Sequence, residues 1–480
     1  MDIPTHSDLA KGNSSAPVAI RLDDVRRDSA FGYAAEADSY HRVVINEDDI
    51  AGAFAEAKRT GRRVLLRGNG RSYGDVSLSG EAICLDLRRF CSIESLDRQT
   101  GIAVVQAGAS LAQIWQYCLP EGWWLPVVSG TMRTTLAGAL SADIHGKNNR
   151  HTGTFGEHID WIDFYSPARG LERIRAEDPD YWSIVGGWGQ LGFIVRAAIR
   201  LRRVSSGNVL VQNVPTPTLE EMFAMFESDR RSEYQVAWID PFSHGRGVYS
   251  AANPVLSDEP TSLFVEYQEP SDRLFGRIRK DQAWKFLRPF TNRTGMRMLS
   301  RLKWEAAVRS PGTGAKMMPL ATYHFPLDYV PDWQRAYRPG ALRQFQVGIP
   351  IENANKAFAR FLRMSQEAKL EPYLSVIKRH RPDPAVLPYL GEAYSLALDY
   401  KRTSRNADRL DRLFREMTDL AFDFGGRFYL AKDCFMTPAD ARRNFAPAAI
   451  EAFLVAKRKF DPTDMLTTDL FRRIQLHANT

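Results

Sequence analysis

Three glycine-rich clusters fall within the 125 residues from Gly68 to Gly192, and they constrain this chain more than any other feature. The first, Gly68-Asn69-Gly70-Arg71-Ser72-Tyr73-Gly74, follows an apolar run at residues 64–66 that reads as a strand. A Rossmann fingerprint would open a helix at this point. Here another strand follows at residues 83–87, so the loop reads as a strand-to-strand nest of backbone N–H groups, a form that also holds phosphate oxygens. Taken alone, it reads equally as glycines in a tight turn. The second cluster runs from Gly130-Thr131 into Thr134-Thr135-Leu136-Ala137-Gly138-Ala139, where small residues at a helix start let the backbone approach a ligand and first-turn N–H groups favour an anion. A dense polar run follows it, Asp143-Ile144-His145-Gly146-Lys147-Asn148-Asn149. The third, residues 185–192, precedes a strand at 193–200. Three such clusters predict one extended dinucleotide threaded between two lobes.

The surrounding pattern is that of a globular protein. Asn46 is placed to cap a helix through Ile50, Phe54 and Ala57 that stops at Gly61, and strands at 43–45 and 64–66 complete a β-α-β unit. At ~150 residues per domain, 480 residues predict two or three domains. No run approaches the ~18 apolar residues of a membrane span. Residues 1–17 are polar and lack a basic stretch followed by an apolar core, which predicts a loose tail and not a signal peptide. Cys84, Cys91, Cys118 and Cys434 show no CxxC spacing, so free thiols in a reducing compartment are expected, and no metal site.

The sequences GNGRSYGD from Gly68, DIHGKN from Asp143 and the cluster at 185–192 resemble the flavin-binding half of the vanillyl-alcohol oxidase/p-cresol methylhydroxylase superfamily. Within it the likeness is to the branch that oxidises C2 of a decaprenylphosphoryl-ribose-like sugar. The likeness runs from about residue 40 to the C-terminus, and is patchier between 205 and 425. It implies an α+β fold with a two-lobed FAD-binding domain at 18–203, a substrate domain with an antiparallel sheet at 204–426, and a segment at 427–480 returning to the FAD-binding domain. It implies that Gly68, Gly70, Arg71, Ser72, Tyr73, Gly74, Gly130 and Thr131 hold the FAD pyrophosphate. Gly138, Ala142 and Ile144 would line the cofactor, His145 would stand beside the isoalloxazine, and Lys147 and Asn148 would lie near its reactive face. Gln344, Gln346, Lys378 and Trp238 match substrate-pocket positions, and Tyr429 and Lys432 match the segment closing over the flavin.

Two departures lie on the sugar side: Ala397 stands where mycobacterial members have cysteine, and His324 where they have a pocket tyrosine. Arg71 occupies the position at which many sugar oxidases of the superfamily carry a flavin-linked histidine, so noncovalent FAD is expected. Lys432, Lys147 and His145 are the catalytic candidates. Lysines gathered in one pocket depress one another toward neutrality, which makes a base and also attracts a phosphodiester. Each taken singly also reads as a solvated surface charge, and His145 as a structural histidine. Gln344 and Gln346 share one strand face. Residues 427–433 alternate, which predicts a strand with Phe428, Leu430 and Lys432 on one face and Tyr429 on the other.

The chain carries a formal charge of +7, yet residues 273–303 alone hold ten Lys/Arg and one acid. Leu274, Phe275, Ile278, Trp284, Phe286, Leu287 and Phe290 are interleaved with them. The stretch reads as a surface for an anionic membrane or as a solvated insertion; no motif accompanies it that would point to nucleic acid. The expected protein is thus a cytoplasmic enzyme, peripheral at the inner face of the membrane. It would oxidise a polyprenyl-phosphate pentose and work with a separate NADH-dependent reductase. The alternatives are an FAD-dependent oxidase of a soluble sugar, alditol or aldonolactone, and a basic membrane-associated binding protein without turnover.

Overall fold

A computed structural model describes residues 24–257, 259–269, 272–274, 278–309 and 314–476. The expected tail at 1–17 lies outside them, as do Phe275 and Arg277. The fold is α+β.

Strands β1 (Val25–Ser29), β2 (Glu36–Val43), β3 (Val64–Arg67) and β4 (Ile83–Asp86) form a four-stranded sheet in the order β1-β2-β4-β3. β4 runs parallel to both β2 and β3. The helix Glu47–Thr60 joins β2 to β3 across the place that β4 fills, and residues 68–82, with the first glycine cluster, connect the parallel neighbours β3 and β4. Asn46 caps that helix in a reciprocal box with Asp49, and Gly61 at φ 65° closes it, as the sequence predicts. Ile50, Ala53, Phe54 and Ala57 form its buried stripe.

A second sheet contains β5 (Ile93–Leu96), β6 (Ile102–Gln106), β8 (Ile159–Ser166), β9 (Gly170–Arg175) and β10 (Phe193–Arg200), ordered β5-β6-β10-β8-β9. The short pair β7 (Trp123–Trp124) and β11 (Arg202–Arg203) lies beside it in sequence. Backbone bonds draw the glycine clusters together around the helix Leu136–Ser141. Gly186 and Trp188 donate to Leu140 and Ser141 at its end, and the Asn69 side chain donates to the Arg133 carbonyl before its start.

The third sheet has eight strands: β12 (Asn208–Thr216), β13 (Tyr234–Ile239), β14 (Gly247–Pro254), β17 (Lys316–Pro319), β18 (Ala341–Pro350), β19 (Leu374–His380), β20 (Ala393–Arg402) and β21 (Arg427–Phe428). Their order is β17-β12-β14-β13-β19-β20-β18-β21; β15 (Arg273–Leu274) and β16 (Ile278–Arg279) form a separate hairpin. Helices Ile351–Glu367 and Ala407–Asp423 cover one face, where Phe345 stacks edge-on against Phe361 and Phe414. Strand periodicity then turns Gln344 and Gln346 to the opposite face.

After β21 the chain runs back to the first lobe. Leu466 bridges to Val64, and Arg473 pairs with both Asp75 and Asp433. The buried Lys457 ammonium is held by Asp461 and by the carbonyls of Gln190 and Leu466. A buried charge so fully bonded fixes the return path, because removing its carboxylate partner would leave it uncompensated.

Candidate active site

The glycine clusters, the open face of the eight-stranded sheet and the returning segment enclose a cavity of about 1090 Å³. That exceeds the ~300–1,000 Å³ of ordinary ligand pockets and leaves room for a dinucleotide and a second molecule. Gly68, Gly70, Arg71, Ser72 and Tyr73 line it, with Gly130, Thr131, Gly138, Ala142, Ile144, His145 and Lys147. Trp238, His324, Gln344, Gln346, Lys378, Tyr429 and Lys432 line its other walls. Gly74 and Asn148 stand outside it. Gly74 packs so tightly on the Asp433 carbonyl that a Cβ would lie 1.6 Å from its oxygen, and Asn148 donates to the Pro126 carbonyl in the core. In this structure both pack against the protein next to lining residues, Gly74 beside Tyr73 and Asn148 beside Lys147.

Lys432 reaches the cavity by a route the alternation does not predict. The strand ends at Phe428, and the Lys432 and Asp433 N–H groups donate back to Tyr429 and Leu430, winding a turn. Tyr429, Ala431 and Lys432 therefore all face the cavity, not opposite sides of a strand. The Tyr73 N–H donates to Ala431 and the Tyr429 hydroxyl to Ala142, which fixes the turn to the first and second clusters.

Burial and like charge govern the titrating groups. Lys147 is brought down to about 7 by burial and then by Lys378, while its ammonium lies 3.8 Å from the Tyr323 ring centre and donates to the Tyr323 carbonyl. Lys378 is lowered to about 8 by burial. Burial also lowers Lys432, opposed by Asp399 and helped by Lys378. His145 is held well below its usual range by burial, His380, Lys378 and Lys432, so it is neutral at pH 7. Its ring stacks 5.6 Å from Tyr389 and meets His380 edge-on.

Asp399, which sequence reasoning misses, supports the site from behind Gln344 and offsets the charge of Lys432. It is buried, takes a hydrogen bond from the Gln344 amide, and its Oδ2 has no hydrogen-bond partner. Period 2 from Ser395 and Ala397 along β20 would have found it. A second group that spacing hides is Asp28, His41 and Cys84, whose ligand-type atoms lie within 4.8 Å of one another. The Asp28 carboxylate there lies 2.7 Å from His41 Nε2 through one oxygen and pairs with Arg67 at 3.2 Å through the other.

The residues present fit FAD. Arg71 Nε is buried without a hydrogen-bond partner, and burial together with the Arg133 charge destabilises its guanidinium. Asp328 and Asp332 offset part of this charge, and an anion bonded to the free Arg71 Nε would relieve the rest. Residues 42–174 match the family described as FAD binding domain. The chain is 29% identical over 433 residues to decaprenylphosphoryl-β-D-ribose oxidase of Mycolicibacterium smegmatis, covering 88% of this chain and 91% of that protein. It is 21% identical over 440 residues to L-gulono-1,4-lactone dehydrogenase of Mycobacterium tuberculosis, covering 89% and 94%. The protein is an FAD-dependent oxidoreductase. The glycine clusters and the lysines Lys147, Lys378 and Lys432 line one and the same cavity of this flavoenzyme.

Proposed function

We propose that this flavoenzyme oxidises the C2 hydroxyl of a polyprenyl-phosphate-linked pentose to the 2-keto sugar, the first half of a 2-epimerisation that a separate NADH-dependent reductase completes. The observation that carries the reading is the convergence of Lys147, Lys378 and Lys432 with Gln344 and Gln346 at one end of the cavity. Bound FAD, held noncovalently, supplies the hydride acceptor. Gln344 and Gln346 hold sugar hydroxyls, and Asp399 fixes the Gln344 amide. Lys432, kept toward its neutral form by burial, takes the hydroxyl proton as the C2–H bond breaks. His145 stays neutral and positions the reacting edge. Lys147 and Lys378 draw in the anionic substrate.

A peripheral membrane location accords with such a substrate. Phe286 (58% exposed), Leu302 (57%) and Met298 (45%) stand out of a surface rich in arginine and lysine. No helix among the described residues is long and apolar enough to cross a membrane.

A second reading, oxidation of a soluble sugar or aldonolactone, is favoured by Ala397 and His324, the two departures on the sugar side. Anaerobic mixing separates the two readings. Bleaching of the flavin by a lipid-linked pentose and not by free pentose or L-gulono-1,4-lactone supports the first; the reverse pattern supports the second.

A further inference from the structure

The cavity does not end at the sugar site. Its floor is one face of the eight-stranded sheet, and the register places Gln346 opposite Ala397, Ala397 opposite Val376, Val376 opposite Trp238, and Trp238 opposite Val248. All five line the cavity. The row is thus polar at β18 and apolar across β20, β19, β13 and β14. At ~4.8 Å per strand it spans roughly 19 Å. The helix Arg293–Arg309 roofs its outer half with Ala306 and Ala307, whose small side chains leave the slot open.

A cation stands over the Trp238 part of this slot. Lys303 projects from the roof with its ammonium 4.2 Å from the Trp238 ring centre, three strands, or ~14 Å, from Gln346. The residue as a whole is exposed, yet protein atoms crowded around its ammonium pull it down to about 8. An indole face attracts an ammonium but cannot neutralise it. A negative group lying between Lys303 and the inner lysines would do so, and an apolar chain attached to that group would continue along Trp238 and Val248.

We infer that the outer half of the cavity is a polyprenyl-phosphate subsite, in which Lys303 holds the phosphate and the Trp238–Val248 floor beneath Ala306 and Ala307 seats the first isoprene units. The inference rests on the proposed substrate class, but its test is binding and not turnover. Farnesyl monophosphate is titrated into the FAD-loaded protein by calorimetry, with methyl phosphate as the chain-free control. Lys303→Gln is expected to weaken farnesyl phosphate binding at least ~10-fold, and Lys303→Arg to restore it within a few-fold. Ala307→Trp, or Ala306→Trp at the more exposed neighbouring position, is expected to weaken farnesyl phosphate at least ~10-fold and leave methyl phosphate unchanged. Flavin absorbance and melting temperature of each variant establish that it is folded and loaded. Failure of the parent to bind farnesyl phosphate, or parent-like affinity in Lys303→Gln or in the folded tryptophan variants, overturns the subsite. If the parent binds farnesyl phosphate as described but no lipid-linked pentose reduces its flavin, the subsite stands and the proposed reaction falls.

Discussion

The Lys432 ammonium lies 3.9 Å from the centre of the Tyr73 ring. A side chain of the first glycine cluster thereby meets one from the C-terminal turn at the wall of the cavity, and the bond from the Tyr73 N–H to the Ala431 carbonyl holds the two backbones together. The contact favours the charged form of Lys432 while burial favours the neutral one. Burial prevails, so this lysine sheds its proton more readily than an exposed one. Lys432→Ala is expected to slow flavin reduction at least ~100-fold, the scale of losing a general base, with FAD content retained. Tyr73→Leu removes the ring and with it ~0.5–1 kcal/mol of support for the ammonium. The ascending limb of the reduction rate against pH should then move about half a unit lower, and Tyr73→Phe should leave it in place. Stopped-flow rates for Lys432→Ala within a few-fold of the parent would remove this residue from the chemistry.

Lys147 gives a prediction for stability. Its folded value of about 7 lies below the ordinary 10.5, so between these values the folded chain binds fewer protons than the unfolded one. Stability is then lost as pH falls from 10.5 toward 7, and the full penalty is present below 7. Lys147→Met removes that penalty. Its melting temperature relative to the parent should be higher at pH 6.5 than at pH 9.5; a difference independent of pH would show that Lys147 titrates normally.

The local elements of the flavin half were legible in the sequence because their signals are local. Asn46 and Gly61 mark a helix by capping chemistry alone, and the glycine clusters announce close backbone approach. The turn at Lys432 was not legible, since a few alternating residues fit a strand end and a wound turn equally well, and only the bonds back to Tyr429 and Leu430 decide between them. The row from Gln346 to Val248 was hidden for a different reason. It depends on the pairing register of five strands far apart in sequence, and a slip of one residue in any of them would turn its side chain to the other face. Asn148 lies in a motif that touches the cavity, yet its amide serves the Pro126 carbonyl; motif membership does not say which way a side chain turns.

The buried Nε of Arg71 has no hydrogen-bond partner, which suits an anion held by charge and hydrogen bonds alone. Acid precipitation should release the flavin into the supernatant, and flavin retained in the pellet would contradict noncovalent binding. Arg71→Ala should weaken FAD binding by ~10-fold or more, the scale of one charge-assisted hydrogen bond, read from flavin retention during dialysis.

The basic, apolar-studded surface around Phe286 and Leu302 should bring the protein down with anionic liposomes at low salt and release it at high salt, because exposed charge attraction is screened. Equal sedimentation with neutral liposomes would rule out the electrostatic account.

Oxidation by this site would take hydride from C2 of a lipid-linked pentose. It is tested most directly by mixing the oxidised protein anaerobically with a polyprenyl-phosphoryl pentose carrying deuterium at C2 and following flavin absorbance. Bleaching should be several-fold slower than with the protiated substrate and should yield a 2-keto product. Bleaching at the same rate with either isotope and a product oxidised at another carbon, or no bleaching at all, would contradict it.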